Sequence, residues 1–483
     1  MKNTFNGVKV GNEWCEEPSK VKEVVKDFFE NRFTGGTNVN LRLDNVVFPT
    51  INREDNDLLI NHFSDEEIKA AVWDCENSKS PGPNGFNFNF FKQFWDIIKT
   101  DLIKVVKCFH SCGRWPKGCN ASFISLIPKV DNPQGLEEYR PISLVESLYK
   151  IISKILSKRM QKVLHKIIDK KQSAFIKDRS ILDSVVVINE VIEEVRRKKG
   201  KCIIIKADFE KAYDSVNWEF LLYMLERMGF CPKWVKWIRS CLESFDISIL
   251  INGSPTGQFT PTKGLRQGDP LVPFLFLIVA QGLAGVVTQA ESMGLIKGIR
   301  VGHKQIPISM LQFVDDTIFV CNEEIQNIMV IKSILRCFEI ASGLKVNFHK
   351  SKIGSIGIHL RKVERFSAIL NCSIMKVPFK YLGIPVGANH RRIEFWQDMI
   401  QKIQKSLALW KGKYLSFAGR VTLIKSVLST IPLYYLSLFK LPICVEKMIR
   451  KIQRDFLWGW GHDGRKIAWI KWDHIVKLRK MVV

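Results

Sequence analysis

Apolar residues recur at helical spacing over residues 21–33 and in several stretches between about 61 and 200, where turn-forming clusters at Ser80-Pro-Gly-Pro-Asn-Gly85 and Asp131-Asn-Pro133 interrupt them. From 201 to about 360 the pattern changes to short β-branched runs with helices between them. The run Lys201-Cys-Ile-Ile-Ile-Lys-Ala-Asp208 predicts a buried strand that ends on a carboxylate. Residues 209–215 then read as a turn, and 216–228 as a helix stopped by Gly229 and Pro232. Further on, two strand-forming segments, 309–314 and 317–320, flank Asp315 and Asp316, the outline of a tight hairpin. The last stretch is helical. No internal repeat stands out, and the pattern divides the chain into 1–60, 61–200, 201–360 and 361–483.

Composition narrows what such a chain can be. Its 483 residues predict about two to four domains. With 46% hydrophobic and 25% charged residues it can bury a core, which excludes a broadly disordered protein. Lys and Arg number 73 against 48 Asp and Glu, a net charge of +25 that calls for a polyanionic partner, nucleic acid or an anionic membrane. No segment reads as a membrane span. The most apolar one, 271–287, carries Pro273, Gln281 and two glycines directly after Arg266, Gln267 and Asp269, so it is expected to be a buried helix. The opening MKNTFNGVKV lacks a secretory apolar region, which predicts a cytoplasmic or nuclear protein. Twelve cysteines include no CxxC pair. The tightest spacing, Cys108 and Cys112 around His110, fits ordinary thiols far better than a zinc site.

Charge is concentrated at the end of the chain. Residues 391–483 hold 19 Lys and Arg against 6 Asp and Glu, interleaved with Trp396, Trp410, Trp458, Trp460, Trp469 and Trp472. This is the composition of a nucleic-acid groove, although the tryptophans can equally be helix-packing residues.

Three acids are candidates for chemistry. Asp208, at the carboxyl end of a strand, is on position alone either a functional acid or a helix cap. Asp315 and Asp316 could be a simple turn. Two adjacent carboxylates repel, however, and tight hairpin turns favour Asn-Gly or Asp-Gly, so a bound cation explains the pair better. Oxygen-only ligands suit Mg²⁺, and three carboxylates could hold two such ions roughly 3.5–4 Å apart.

Several motifs then occur in order. Asp208-Phe-Glu-Lys-Ala-Tyr-Asp214, Gly264-Leu-Arg-Gln-Gly-Asp-Pro270 and Phe313-Val-Asp-Asp-Thr317 resemble three core motifs of non-LTR (LINE-type) retrotransposon reverse transcriptases of the plant kind. Further matches are Ile127-Pro-Lys129, Tyr139-Arg-Pro-Ile-Ser143, Gln172-Ser-Ala-Phe175, Gly343-Leu-Lys-Val-Asn-Phe-His-Lys350 and Tyr381-Leu-Gly-Ile-Pro385. The resemblance runs from about Ser80 to Trp472. It implies an α+β right-hand polymerase fold with fingers over 61–200, a palm with an antiparallel sheet over 201–360, and a basic helical thumb over 361–483, preceded by a leader.

Carried over residue by residue, the resemblance makes Asp208, Asp315 and Asp316 the ligands of two Mg²⁺ ions, for which Mn²⁺ may substitute. Tyr213 becomes the ring under the incoming sugar, Lys129 and Arg140 the grip on the triphosphate, and Gln267 and Gly268 the loop that touches template and nucleotide. Lys350 matches a lysine that protonates pyrophosphate, with Lys345 and Lys352 nearby. The implied partners are an RNA template, a DNA primer, the RNA–DNA duplex and dNTPs. The implied activity is RNA-directed DNA polymerisation.

The sequence departs from the family pattern at Asn84, Asp178, Val272 and Val314, where Asp, Gly, Ser and Ala are usual. Its first 60 residues are too short for the family's endonuclease domain and the chain stops soon after Trp472, so a truncated reading frame is expected. Two rivals stay open: a catalytically inactive nucleic-acid-binding remnant, and another palm polymerase such as an intron-encoded maturase or an RNA-dependent RNA polymerase.

Overall fold

The predicted strand after Lys201 forms as Cys202–Ala207 and lies at the centre of a five-stranded sheet. The computed structural model describes residues 5, 7–10, 13–35, 41–116, 118–409, 415–458 and 470. These residues make α+β structure in two compact units, one within Met1–Ser184 and Glu194–Met375, the other within Val185–Glu193 and Lys376–Val483.

In the first unit the sheet runs, edge to edge, Met310–Phe313, Asp316–Cys321, Cys202–Ala207, Lys352–Ile356 and Ser373–Ile374. All neighbours are antiparallel except the last pair. Ile203, Ile204 and Ile205 are buried, which is why the central strand reads as a continuous apolar run rather than an alternation. Helices Trp218–Arg227, Val272–Ser292 and Ile325–Ser342 pack on one another. Val272–Ser292 is long and apolar enough to cross a membrane, yet 72% of its most apolar window is buried inside the protein, as expected for 271–287.

A second, four-stranded sheet has the order Tyr139–Val145, Ser122–Pro128, Ile247–Ile251, Ser254–Pro255. The helix Pro18–Phe33 packs on it with Val21, Val25, Phe29 and Phe33, a stripe of every fourth residue that buries one face. Proline at the first turn starts this helix three residues before the apolar spacing does.

In the second unit a hairpin, Phe379–Tyr381 with Ile384–Val386, precedes helices Ile393–Leu409, Phe417–Leu423, Leu433–Leu436 and Ile443–Trp458. Trp396 and Trp458 are buried there, and the Trp396 indole N–H donates to the His390 carbonyl at 2.8 Å. These two are therefore packing residues. Trp410, Trp460, Trp469 and Trp472 lie outside the described residues. All twelve cysteines are free, and His110 turns inward to the carbonyls of Ile60 and Asn61 while Cys108 and Cys112 face solvent.

The hairpin differs from expectation. Its strands are Met310–Phe313 and Asp316–Cys321, with Phe313 paired to Asp316, so the tip is Val314 and Asp315 rather than the two acids. Val314 alone takes positive φ there, at 57°. For a β-branched residue this costs about 1–3 kcal/mol and must be held by its surroundings.

Glycine is obligatory at Gly264, where φ is +87° and an added Cβ would lie 2.6 Å from the Asp214 carbonyl oxygen. Gly264→Ala is expected to cost about 3 kcal/mol, read as a shift of the urea midpoint. At Gly294, also at positive φ but facing open space, Gly294→Asn should cost under about 1 kcal/mol. Equal losses at the two positions would refute the steric argument.

Candidate active site

Ala207 pairs with Thr317, so the next pair in the same register is Asp208 with Asp316, side by side at the end of two neighbouring strands. Asp315 stands at the hairpin tip beside them. The backbone of Asp208 is fixed from the segment after Gly343: its N–H donates to Ser351 Oγ at 3.1 Å, and its carbonyl accepts from the Asn347 N–H at 2.8 Å.

Electrostatics tie the acids together. Burial raises the Asp208 pKa first; the charges of Asp316 and Glu210 raise it further, while Lys350 and Lys206 lower it. The Asp315 carboxyl is likewise raised, mainly by burial and then by Asp316 and Asp208. Lys206 Nζ reaches Asp316 Oδ1 at 3.3 Å. Of Lys345, Lys350 and Lys352, it is Lys350 whose charge bears on Asp208, alongside Lys206, whereas Lys345 pairs with Glu210 at 3.6 Å. The Tyr213 ring packs on Phe276 with centroids 4.8 Å apart. Burial, followed by the Asp315 charge, pushes its hydroxyl up to about 12.

Further cations, Lys129, Arg140, Arg32 and Lys211, gather near Asp214. Lys129 is exposed at the end of strand Ser122–Pro128, and Arg140 is exposed on the paired strand opposite Ile127. Partial desolvation, then the charges of Arg32, Lys211 and Arg140, lower the Lys129 pKa. Positive groups therefore crowd around Lys129, with Asp214 as their nearby counter-charge. Lys129 Nζ donates to the Glu137 carbonyl at 2.7 Å.

Asp214 links these parts. It is buried, forms an ion pair with Arg32, and accepts from Gln267 Nε2 at 3.1 Å. The Nε and Nη1 of Arg32 are buried without a hydrogen-bond partner. Gly268 has φ +112°, and an added Cβ would meet the Ser143 carbonyl at 3.0 Å, so the close approach it permits is to strand Tyr139–Val145. Between Gln267 and Leu271, Asp269 is buried with Arg266.

The structure thus groups Asp208, Asp315, Asp316, Tyr213 and Lys350, and separately Lys129 and Arg140, with Gln267 joined to the latter through Asp214 and Arg32. Sequence reading did not single out Arg32, Lys206 or Lys211. Lys211 lies within a quoted motif, but no local signal marks Arg32, which reaches Asp214 from 182 residues away.

The departures from the family pattern have local accounts. Asn84 Oδ1 accepts the Phe86 N–H at 3.1 Å, a bond Asp would accept as well. Asp178 is exposed at φ 63°, a conformation Gly adopts freely and Asp at modest cost. Val272 is buried in the first turn of its helix.

The carboxylate set is oxygen-only and mutually repulsive, which suits a hard divalent cation. Among the described residues no group of three or more His, Cys, Asp or Glu side chains is already gathered tightly enough to hold a metal ion. Asp208 and Asp316 stand at the ends of adjacent strands, with Asp315 at the hairpin tip.

Comparison with known proteins bears on the family of the chain. The family model described as reverse transcriptase (RNA-dependent DNA polymerase) matches residues 127–386. The chain is 26% identical over 461 residues to the transposon TX1 uncharacterized 149 kDa protein of Xenopus laevis, covering 92% of this chain and 34% of that protein. It is 24% identical over 412 residues to the retrovirus-related Pol polyprotein from the type-2 retrotransposable element R2DM of Drosophila melanogaster, covering 82% and 37%. It is 25% identical over 239 residues to the RNA-directed DNA polymerase from mobile element jockey of Drosophila funebris, covering 48% and 25%. The chain spans about a third of the length of the first two relatives.

Proposed function

The chain belongs to the reverse transcriptase (RNA-dependent DNA polymerase) family, and from that premise we propose that it extends the 3′-hydroxyl of a DNA primer with dNTPs copied from an RNA template. The observation that carries this reading is the juxtaposition of Asp208 and Asp316 on adjacent strands with Asp315 at the hairpin tip, next to a crowd of cations. When bound, two Mg²⁺ ions on Asp208, Asp315 and Asp316 supply activation of the primer hydroxyl and charge neutralisation of the leaving pyrophosphate.

The chain's own groups do the rest. Lys129 and Arg140, with Lys211 beside them, bind the triphosphate as point charge and fork. Gln267, held by Asp214, orients the loop against template and nucleotide, and Lys350 stands where a proton can be given to pyrophosphate. In this reading 61–200 are fingers, 201–360 palm and 361–483 a thumb whose basic helices track the RNA–DNA duplex through its phosphates, after a leader of 1–60. Such a substrate places the protein in the nucleus or cytoplasm.

Tyr213 is the sugar gate. Its ring, packed on Phe276 beside Asp315, would collide with a ribose 2′-hydroxyl. Tyr213→Val should reduce the kcat/KM preference for dNTP over NTP by about 100-fold. An unchanged ratio would make Tyr213 a packing residue.

The reading as a whole is tested by primer extension on an RNA template with Mg²⁺, with dNTPs compared against NTPs. Extension with dNTPs alone is expected. A folded protein that binds template–primer in a salt-dependent way yet extends nothing would instead be a nucleic-acid-binding remnant.

A further inference from the structure

We infer that Gln172 is a positioning residue for the acid-bearing hairpin, holding the strained tip by its backbone. The inference rests on the polymerase reading for its consequence but on geometry for its existence. Gln172 is 1% exposed, and its side-chain amide clasps residue 314 on both backbone groups. Oε1 accepts the Val314 N–H at 3.0 Å, and Nε2 donates to the Val314 carbonyl at 3.4 Å. The same Oε1 accepts the Ala174 N–H at 3.0 Å, which fixes the amide's orientation.

The backbone around Gln172 is stitched to the same hairpin. The Gln312 N–H donates to the Lys171 carbonyl at 2.7 Å, and the Ser173 N–H donates to the Gln312 carbonyl at 3.0 Å. Gln172 and Gln312 form a parallel bridge, so this segment adds a short partner to the edge strand Met310–Phe313. Arg179 holds it from behind, its Nη1 donating to the carbonyls of Asp169 and Gln172, each at 2.6 Å.

A β-branched residue at positive φ persists only where its surroundings over-determine it. Here one side chain saturates both hydrogen-bonding groups of that residue, immediately before Asp315. Buried glutamines are often no more than satisfied core groups. Two bonds aimed at the single strained residue next to the acids do more than satisfy a core amide. They keep Asp315 and Asp316 at a set distance from Asp208.

The test compares the unsubstituted chain with Gln172→Met, which keeps the side chain's length and removes both bonds to Val314, and with Gln172→Leu as the shorter, branched alternative. Amide hydrogen exchange is expected to quicken about tenfold or more over residues 312–317 while the central strand Cys202–Ala207 keeps its protection. Mn²⁺ affinity, read by electron paramagnetic resonance, should weaken about 10- to 100-fold. In primer extension kcat should fall by about 100-fold with the KM for dNTP within about twofold. Adding Val314→Gly, which accepts positive φ without strain, should restore part of the lost kcat and Mn²⁺ affinity.

Unchanged exchange at the hairpin in a folded variant would overturn the inference, as would faster exchange with Mn²⁺ affinity and kcat intact. If the unsubstituted chain extends no primer, the polymerase reading fails separately; exchange and Mn²⁺ binding then still decide the role of Gln172.

Discussion

Asp315→Asn is expected to lower primer extension by about 10³-fold or more while leaving the metal-free protein more stable than before. The two effects share one cause. The Asp315 carboxyl is raised by burial and by the charges of Asp316 and Asp208, so its ionised form is held in the fold at a cost. Because the folded pKa lies above the unfolded one, that cost is absent at low pH, where both states are protonated. It builds as pH climbs from the unfolded carboxylate value towards the raised folded one and is complete above it, so the stability gap between variant and parent should widen from acid to neutral pH. A carboxamide relieves the repulsion but supplies neither the charge nor the basicity that phosphoryl transfer requires. Measuring extension rate alongside the urea midpoint checks both halves. A variant that loses stability and keeps activity would show Asp315 to be an ordinary turn residue.

The second large effect concerns the loop that carries Gln267 and Gly268. Arg266→Leu is expected to destabilise the first unit by about 3–5 kcal/mol, because it strands the buried Asp269 without its ion-pair partner. The guanidinium lies over Tyr149 and Phe245, 3.9 and 4.3 Å from the ring centroids, and donates to Asn120 Oδ1 at 2.7 Å. Asp269 in turn accepts from the Tyr149 hydroxyl at 2.6 Å and from the Leu271 N–H at 2.9 Å. Adding Asp269→Asn removes the stranded charge while keeping an acceptor for Leu271, so the double variant should recover more than about 1 kcal/mol. Denaturation followed by circular dichroism measures both. A single variant within about 1 kcal/mol of the parent would mean that water reaches Asp269 and the network is not closed.

Much of the site could be read before any tertiary structure. The run ending at Asp208 announced a buried strand with an acid at its rim, because only a strand covered on both faces tolerates three consecutive isoleucines. The acids at 315 and 316 stand out because paired carboxylates in a tight turn contradict turn chemistry. The hairpin itself turns one residue earlier than its pattern predicts, at Val314 and Asp315. Local preference puts polar residues at a tip, and no local rule anticipates a valine there; a glutamine 142 residues away in sequence holds it in place. The motif containing Gln172 was visible, but what its side chain holds was not.

The sequence by itself determined the buried strand that ends at Asp208, the helix after it, the buried character of 271–287 and the candidate acids, because periodicity and side-chain chemistry act over a few residues. It did not reveal the strands Ser122–Pro128 and Tyr139–Val145, which lie in a stretch that reads as helical. Only the tertiary structure decided that Asp316 stands opposite Asp208, that Val314 carries the strain, and that Arg32 closes on Asp214. Those are consequences of strand register and chain path. They depend on which distant surfaces exclude water together, and no short window of sequence contains that information.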